Sequence, residues 1–294
     1  MRNLIVNADD LGWTAGVNRG ISEGHRGGLI TSTSLLANGQ AFADGVSIAR
    51  SNPGLGVGVH LNLSDGPPIA APGKVRGLLN DNNEFDGGPE SLLLRLARRN
   101  LRVEEVELEW DAQINKIRDA GIRPSHLDGH KHVHMLPGLF EAALRLAKKH
   151  GIGAIRVSHE DSKLRAVLSS GKEQKTSVVL KQGVQARGLK MLAHDAKDLA
   201  HRAGISTSGY FCGIAQTGVL MREGVVRLLE ALPEGYTELM CHPGYADEEL
   251  LKSNTRLQQS RQAELAILTD AGIRKLVATR GIRLINFKDV AVEG

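Results

Sequence analysis

Two adjacent carboxylates are the first residues of this chain that could do chemistry. Asp9 and Asp10 follow the apolar, partly β-branched residues 4–8, a pattern that predicts a buried strand ending in charge. Neighbouring like charges disfavour each other's ionisation, so such a pair normally needs a cation or a proton-transfer task to compensate it. The pair is therefore a candidate for chemistry, and capping of a helix that begins near Gly16 is the alternative.

Imidazoles follow three further predicted strands. His60 lies near the end of residues 55–63, and His242 follows residues 237–241. The strand between them leads into an acidic and histidine-rich cluster, which contains Asp128, His130, His132 and His134. A carboxylate oxygen and two imidazole nitrogens with an open position form a catalytic divalent-metal site, and the remaining histidines could orient ligands or contact substrate.

Predicted strands and helices alternate along the whole chain. The predicted strands are residues 4–8, 29–36, 55–63, 125–128, 154–157, 209–213, 237–241 and 283–287. The predicted helices between them are residues 17–24, 40–50, 90–120 (one or two helices), 137–150, 184–203, 221–232, 258–271 and 274–280. Seven or eight βα units favour an α/β fold, a closed or slightly irregular (β/α) barrel, over an open doubly wound sheet. Because active sites of such barrels lie at the carboxyl ends of the strands, the acidic and imidazole side chains should meet there.

Composition restricts the class of protein. The 294 residues predict a single domain over 1–294, with the Pro- and Gly-rich residues 64–88 as a long loop bordering the substrate cleft. The net charge of +4 comes without a clustered basic motif, so we expect no nucleic-acid partner. Cys212 and Cys241 have no metal-knuckle spacing, and neither a signal peptide nor a membrane span is predicted. We expect a soluble cytoplasmic protein, monomeric or homo-oligomeric.

Four motifs occur in order along the chain and carry a family resemblance. They are Asn7-Ala8-Asp9-Asp10, Gly58-Val59-His60-Leu61, His126-Leu127-Asp128-Gly129-His130-Lys131-His132-Val133-His134 and Met240-Cys241-His242-Pro243-Gly244. Together they resemble the YdjC-like carbohydrate deacetylases, a family that includes chitooligosaccharide deacetylases. The resemblance implies a (β/α) barrel of the glycoside hydrolase/deacetylase type and metal-dependent removal of N-acetyl groups from amino sugars.

The same resemblance assigns roles to individual residues. The family's metal ligands correspond to Asp10, His60 and His130, its proposed base to Asp9, and its late histidine, the acid, to His242. An acetamide is a poor electrophile with a poor leaving group, so its hydrolysis needs an activated water, charge stabilisation and a proton for nitrogen. We therefore expect one divalent metal ion and an acetylated amino-sugar or oligosaccharide substrate. Zinc and magnesium both suit such ligands.

Two departures from the family pattern concern the substrate. Leu11-Gly12-Trp13 replaces the more usual Phe-Gly after the Asp pair, and residues 158–208 match no motif. Trp13 and Tyr245 flank catalytic motifs and could stack on a sugar, with coverage of the core as the alternative. The other candidate substrate contacts are Asp128, His132 and His134.

Two other functions stay open at this point. Metal sites on barrels also serve hydrolases of other bonds, such as phosphoesters or other amides, and released acetate or phosphate distinguishes them. A catalytically inactive sugar- or metal-binding protein is the second alternative. The complete set of acid, base and ligand candidates argues against this alternative, because a protein that only binds sugar or metal does not need a free carboxylate beside the metal.

Overall fold

A parallel sheet of seven strands forms the centre of the fold, and the computed structural model describes residues 1–169 and 195–290. The strands are β1 (Arg2–Leu11), β2 (Ser32–Leu35), β3 (Gly56–Leu61), β4 (Leu127–Gly129), β5 (Tyr210–Cys212), β6 (Gly235–Cys241) and β7 (Arg283–Leu284). They are arranged in the order β4-β3-β2-β1-β6-β5, and β7 pairs with the start of β1. β1 is therefore central and buried on both faces, as its apolar sequence predicts.

Isolated parallel bridges connect the two edges of this sheet. Leu127 of β4 pairs with Ile155, Ala154 pairs with Ser206, and Glu160 pairs with Phe211 of β5. The strands consequently follow one another around a ring that residues 154–160 complete. This arrangement confirms the predicted α/β class and the irregular (β/α) barrel, in which residues 154–157 form bridges instead of a full strand.

Eleven α-helices in the described ranges connect and cover the strands. They are α1 (Ala15–Gly27), α2 (Phe42–Ser51), α3 (Pro89–Ala97), α4 (Val103–Asp119), α5 (Leu139–His150), α6 (Ser162–Ser169), α7 (Ala196–Arg202), α8 (Arg222–Glu230), α9 (Glu248–Lys252), α10 (Gln259–Leu268) and α11 (Ala271–Thr279). The predicted helix over 184–203 corresponds in part to α7, and its residues before 195 lie outside the described residues. The sequence pattern missed α6 and α9, which are short.

The turn after β1 is fixed by side-chain hydrogen bonds. Thr14 caps α1 by accepting a hydrogen bond from the Val17 backbone N–H. Asn18 on the same helix accepts one from the Gly12 N–H at 2.6 Å. These bonds fix the backbone of the turn that directly follows Asp9 and Asp10.

Close packing of a histidine explains one glycine of β3. A Cβ atom on Gly58 would lie 2.4 Å from the ring of His126, which fills the barrel interior. The His126 ring stacks on Phe287 with ring centroids 3.9 Å apart. Glycine at 58 is thus required by the close approach of this ring, as the sequence suggested for the glycines of the strand.

None of the helices in the described part of the chain is both long and apolar enough to cross a membrane.

Candidate active site

A bulge at the end of β1 brings both carboxylates of the Asp pair into the barrel. Adjacent side chains of a regular strand point to opposite faces, but the pairing of β1 with β2 shifts register between Ala8 and Leu11. Asp10 has a φ of 74°, in the left-handed region that non-glycine residues rarely adopt. Asp9 and Asp10 consequently both have carboxylate oxygens within 4.8 Å of a ring nitrogen of His60. Such backbone strain is typical of functional sites.

Asp10 faces two imidazoles. Its Oδ1 atom lies 3.0 Å from His130 Nδ1 and 3.4 Å from His60 Nε2. Donor atoms from the three residues all lie within 4.8 Å of one another. Although it is buried, Asp10 Oδ1 accepts no hydrogen bond of acceptable geometry. An unsatisfied carboxylate oxygen between two imidazoles fits a divalent metal ion, so the residues are suited to the group that the sequence predicts.

Asp128 fixes the orientation of His60. Its Oδ1 atom lies 2.8 Å from His60 Nδ1, and its Oδ2 atom accepts a hydrogen bond of 2.5 Å from Ser34 Oγ. This contact leaves His60 Nε2 directed to Asp10, as in the carboxylate–histidine–metal arrangement of known sites. Burial would lower the pKa of His60, but the carboxylates of Asp128 and Asp10 raise that pKa to about 10.

Asp9 is held by a buried arginine. Arg156 donates from Nη1 to Asp9 Oδ2 and from Nη2 to Oδ1, both at 2.7 Å, and Asn7 Nδ2 donates to Oδ1 at 2.8 Å. Burial would raise the pKa of Asp9, yet the Arg156 guanidinium outweighs it and the pKa lies below its ordinary value. Asp9 is therefore a fixed carboxylate at neutral pH.

Arg156 also links two further carboxylates. Its Nε atom donates to Glu238 Oε1 at 2.7 Å, and its Nη1 atom lies 2.9 Å from Asp128 Oδ2. Asp9, His60 and Asp128 form a second group with metal-like spacing. The guanidinium already bridges both carboxylates of that group. Within residues 1–169 and 195–290, the geometry thus favours one metal ion and one arginine over two metal ions.

His242 follows β6 and borders the same site. Its backbone N–H donates to Glu264 Oε2 at 2.6 Å, and its ring Nδ1 is buried without a hydrogen-bond partner. Burial lowers the pKa of the His242 ring to about 4, although Asp9 and Asp10 act in the opposite direction. The ring is consequently neutral near pH 7.

Part of this group of side chains lines a cleft of about 450 Å³. The residues predicted from strand ends that line this cleft are Asp9, Asp10, His60, His130, His132 and His242. A cavity of about 800 Å³ lies at the opposite ends of the strands, where Leu55, Val57 and Ser125 are among its lining residues. None of the described residues lining that larger cavity is Asp, Glu or His, so the smaller cleft is the candidate active site.

Comparison with known proteins agrees with this geometry. Residues 3–279 match the model of the YdjC-like proteins. The chain belongs to the YdjC-like family. It is 32% identical over 289 residues to a carbohydrate deacetylase of Geobacillus stearothermophilus, with 98% of each chain covered. It is also 32% identical over 296 residues to a chitooligosaccharide deacetylase of Salmonella paratyphi B, covering 98% of this chain and 99% of that one.

A solved structure extends the family likeness to the fold. It is described as a candidate cellobiose-phosphate cleavage protein from Enterococcus faecalis V583. The TM-score is 0.76, the identity is 28%, and 99% of each chain is covered. The YdjC-like chain therefore shares the architecture of this relative along its whole length.

The predicted substrate contacts fall into three groups. Trp13 and His132 line the cleft, and the Trp13 ring lies 5.0 Å from the His130 ring. Asp128 and His134 are fully buried beneath it, where His134 Nε2 bonds the Arg156 carbonyl oxygen at 3.0 Å. Tyr245 is not among the lining residues. Its hydroxyl donates to Glu23 on α1 at 2.5 Å.

Sequence reasoning missed the charged partners of the Asp pair. Arg156 and Glu238 are each the one charged residue of a predicted strand, and a single charge in a buried strand is a signal that it needs a partner. Asp65, in the long loop, lines the cleft with its Oδ2 atom 3.3 Å from His130 Nε2. Arg261, on α10, contacts Asp10, and no local pattern distinguishes it from a surface arginine.

Proposed function

We propose that this protein is a metal-dependent carbohydrate deacetylase, one catalytic domain that hydrolyses N-acetyl groups of amino sugars such as chitooligosaccharides. The observation that carries the proposal is the unsatisfied Asp10 oxygen between His60 and His130, beside the fixed carboxylate Asp9 at the floor of a cleft. The activities named for the Geobacillus stearothermophilus and Salmonella paratyphi B relatives support the same reaction.

Asp10, His60 and His130 would hold the metal ion. A divalent cation bound there polarises a carbonyl oxygen and makes a water molecule more acidic. Zinc and magnesium both remain suitable, since a carboxylate and two imidazoles satisfy zinc directly and magnesium with additional waters. Asp128 keeps His60 in the orientation that ligation requires.

Asp9 would act as the base. It lines the cleft, and the lowered pKa keeps it ionised and able to accept a proton at neutral pH. Each of its oxygens has two acceptor positions, and Arg156 occupies one position on Oδ2. The guanidinium fixes the direction of the free position, which is a requirement of efficient proton transfer.

His242 would deliver a proton to the leaving amine. Because the ring is neutral in the free protein, it must take up a proton from solvent in the substrate complex before it can donate one to the amine nitrogen. His242 lines the same cleft as Asp9, and Glu264 holds its backbone N–H. Trp13 and His132 would contact the sugar ring.

Hydrolysis of another bond is the second candidate. The description of the Enterococcus faecalis structure as a candidate cellobiose-phosphate cleavage protein is the observation that favours it. The metal site would serve either reaction, because the same polarising effect acts on a carbonyl or a phosphoryl oxygen. The reaction products therefore distinguish deacetylation from hydrolysis of another bond.

The test is acetate release from N-acetylglucosamine oligomers, from the dimer upward, by protein stripped of metal and given back one divalent ion at a time. We expect acetate release that depends on the added ion. The same samples are assayed with cellobiose phosphate for released phosphate and glucose. Metal-dependent cleavage of that compound without acetate release from any oligomer would replace the first proposal with the second.

A further inference from the structure

The first turn of α10 contributes a buried arginine to the site. Arg261 is 1% exposed, and its Nη2 atom donates to Asp10 Oδ2 at 2.6 Å. Asp10 Oδ2 is the oxygen that faces away from the two imidazoles, which approach Oδ1. The contact therefore fixes the rotation of the Asp10 carboxylate and keeps Oδ1 directed to the metal position.

The rest of this side chain is held firmly. Its Nε atom donates to the Leu257 carbonyl oxygen at 3.0 Å, and its guanidinium carbon lies 5.8 Å from the centre of the Trp13 ring. The Arg261 carbonyl oxygen accepts a hydrogen bond of 3.2 Å from Gly244, in the turn after His242. The guanidinium is thus positioned before any ligand binds.

One donor of the guanidinium has no partner. Arg261 Nη1 is buried and forms no hydrogen bond, although Arg261 lines the cleft. Buried polar groups are almost always hydrogen-bonded, because an unsatisfied donor loses its interaction with water and gains nothing in return. A fixed, charged and unsatisfied donor beside Asp10 indicates a place for an acceptor atom of the ligand.

We propose that Arg261 has two tasks in this site. Through Nη2 it positions Asp10 for the metal ion, and through Nη1 it donates a hydrogen bond to an oxygen atom of the bound acetylated sugar. The identity of the sugar rests on the proposed function, whereas the positioning of Asp10 does not. The planar fork of arginine can serve both acceptors at once, and a lysine ammonium at this position can hold only one of them well.

The test uses Arg261→Met and Arg261→Lys, with Arg256→Met as the matched control. Arg256 lines the same cleft, but its Nη1 atom donates to the Thr217 carbonyl oxygen and not to Asp10. Calorimetry measures the dissociation constants of zinc for the stripped protein and of di-N-acetylchitobiose for the zinc-loaded protein. Circular dichroism and a thermal unfolding curve verify that each variant is folded.

We expect Arg261→Met to weaken zinc binding by about tenfold to a hundredfold, the usual effect of losing a group that orients a ligand. Arg256→Met should leave the zinc dissociation constant unchanged. Arg261→Lys should keep zinc binding within about threefold of wild type, since the ammonium still pairs with Asp10, but weaken disaccharide binding by about tenfold.

Wild-type zinc affinity in folded Arg261→Met would overturn the positioning task. Wild-type disaccharide affinity in Arg261→Lys would overturn the contact with the sugar and leave Nη1 to a water molecule. If Arg261→Met does not fold, Arg261→Gln takes its place, because its shorter and uncharged amide also removes the cation beside Asp10; zinc binding weaker than that of Arg256→Met then supports positioning, and equal binding contradicts it. A wild-type protein that binds zinc but no disaccharide would contradict the proposed substrate, while the zinc measurements would still decide the positioning.

Discussion

Two adjacent residues of this site have the same carboxylate and opposite surroundings. Both oxygens of Asp9 accept hydrogen bonds from Arg156, so a permanent cation already neutralises that carboxylate. Asp10 gives one oxygen to Arg261 and leaves the other unsatisfied between His60 and His130. Asp9, which is held on both oxygens and keeps one acceptor position on Oδ2, is suited to moving a proton, whereas Asp10 is suited to binding a metal ion.

The difference shows that spacing alone does not identify a metal site. Asp9, His60 and Asp128 have ligand atoms as close together as those of Asp10, His60 and His130. The first group already contains a guanidinium that compensates its charge, whereas the second has an oxygen with no donor. The two groups differ in the hydrogen bonds that their carboxylate oxygens already accept, and not in the distances between their residues.

The sharpest test of this comparison replaces Asp10 with Asn. The amide removes the negative charge from the metal position, so we expect bound metal to fall far below one ion per chain and acetate release to fall to background. Elemental analysis of protein purified after metal loading measures the stoichiometry. Asp9→Asn is the matched control and should keep its metal. Equal metal content in the two variants would contradict the assignment of metal binding to Asp10 and not to Asp9.

The next largest effect is expected for the catalytic activity of Asp9→Asn. The amide cannot take up a proton, and loss of a general base typically costs about a hundredfold to ten-thousandfold in rate. We expect kcat to fall by that factor while bound metal stays at the wild-type level. Steady-state acetate release beside elemental analysis measures both quantities. A kcat near wild type would show that Asp9 is not the base.

Removal of Arg156 should affect folding more than metal binding. Arg156→Met leaves the buried carboxyl groups of Asp9, Asp128 and Glu238 without the guanidinium, and breaking a buried ion pair from one side costs about 3–5 kcal/mol. Urea unfolding measures the loss of stability. The double variant Arg156→Met/Glu238→Gln should recover part of this loss, because one of the carboxyl groups left without the guanidinium then cannot ionise. An undiminished free energy of unfolding in Arg156→Met would contradict the role of the guanidinium as the fixed cation.

The smallest effect concerns the pH dependence of stability. Burial raises the pKa of Glu238 from its ordinary value of 4.5 to about 7, against the lowering effect of Arg156. The folded state therefore binds this proton more tightly than the unfolded state. Its stabilising contribution is complete below pH 4.5 and is lost as the pH rises through 7.

Glu238→Gln should flatten this part of the stability curve. We expect the free energy of unfolding of the wild type to fall by about 1–3 kcal/mol more than that of the variant between pH 4.5 and pH 7. Urea unfolding at several pH values measures the slope. Glu104→Gln changes an exposed carboxylate and should leave the slope as in the wild type. Identical slopes for Glu238→Gln and wild type would show that Glu238 does not hold the proton.

The sequence alone determined the fold class and which candidate residues the strand ends bring together. Alternating strand and helix patterns predicted the α/β barrel, and the strand-end rule brought Asp9, Asp10, His60, His130 and His242 to one cleft. Both predictions rest on patterns of residues that are close together in the sequence. Apolar periodicity defines each strand, and parallel strands deliver their carboxyl ends to a common edge. The family resemblance is confirmed by the match over residues 3–279.

Only the tertiary structure decided which charges meet. Arg156 is 147 residues from Asp9 and Arg261 is 251 residues from Asp10, so no local pattern contains either pair. The bulge that turns both carboxylates inward and the contact of Tyr245 with Glu23 depend on pairing and packing in the same way. A sequence specifies which side chains a strand end carries. The long-range contacts of the folded chain determine whether each carboxylate meets a guanidinium or remains free to bind a metal ion.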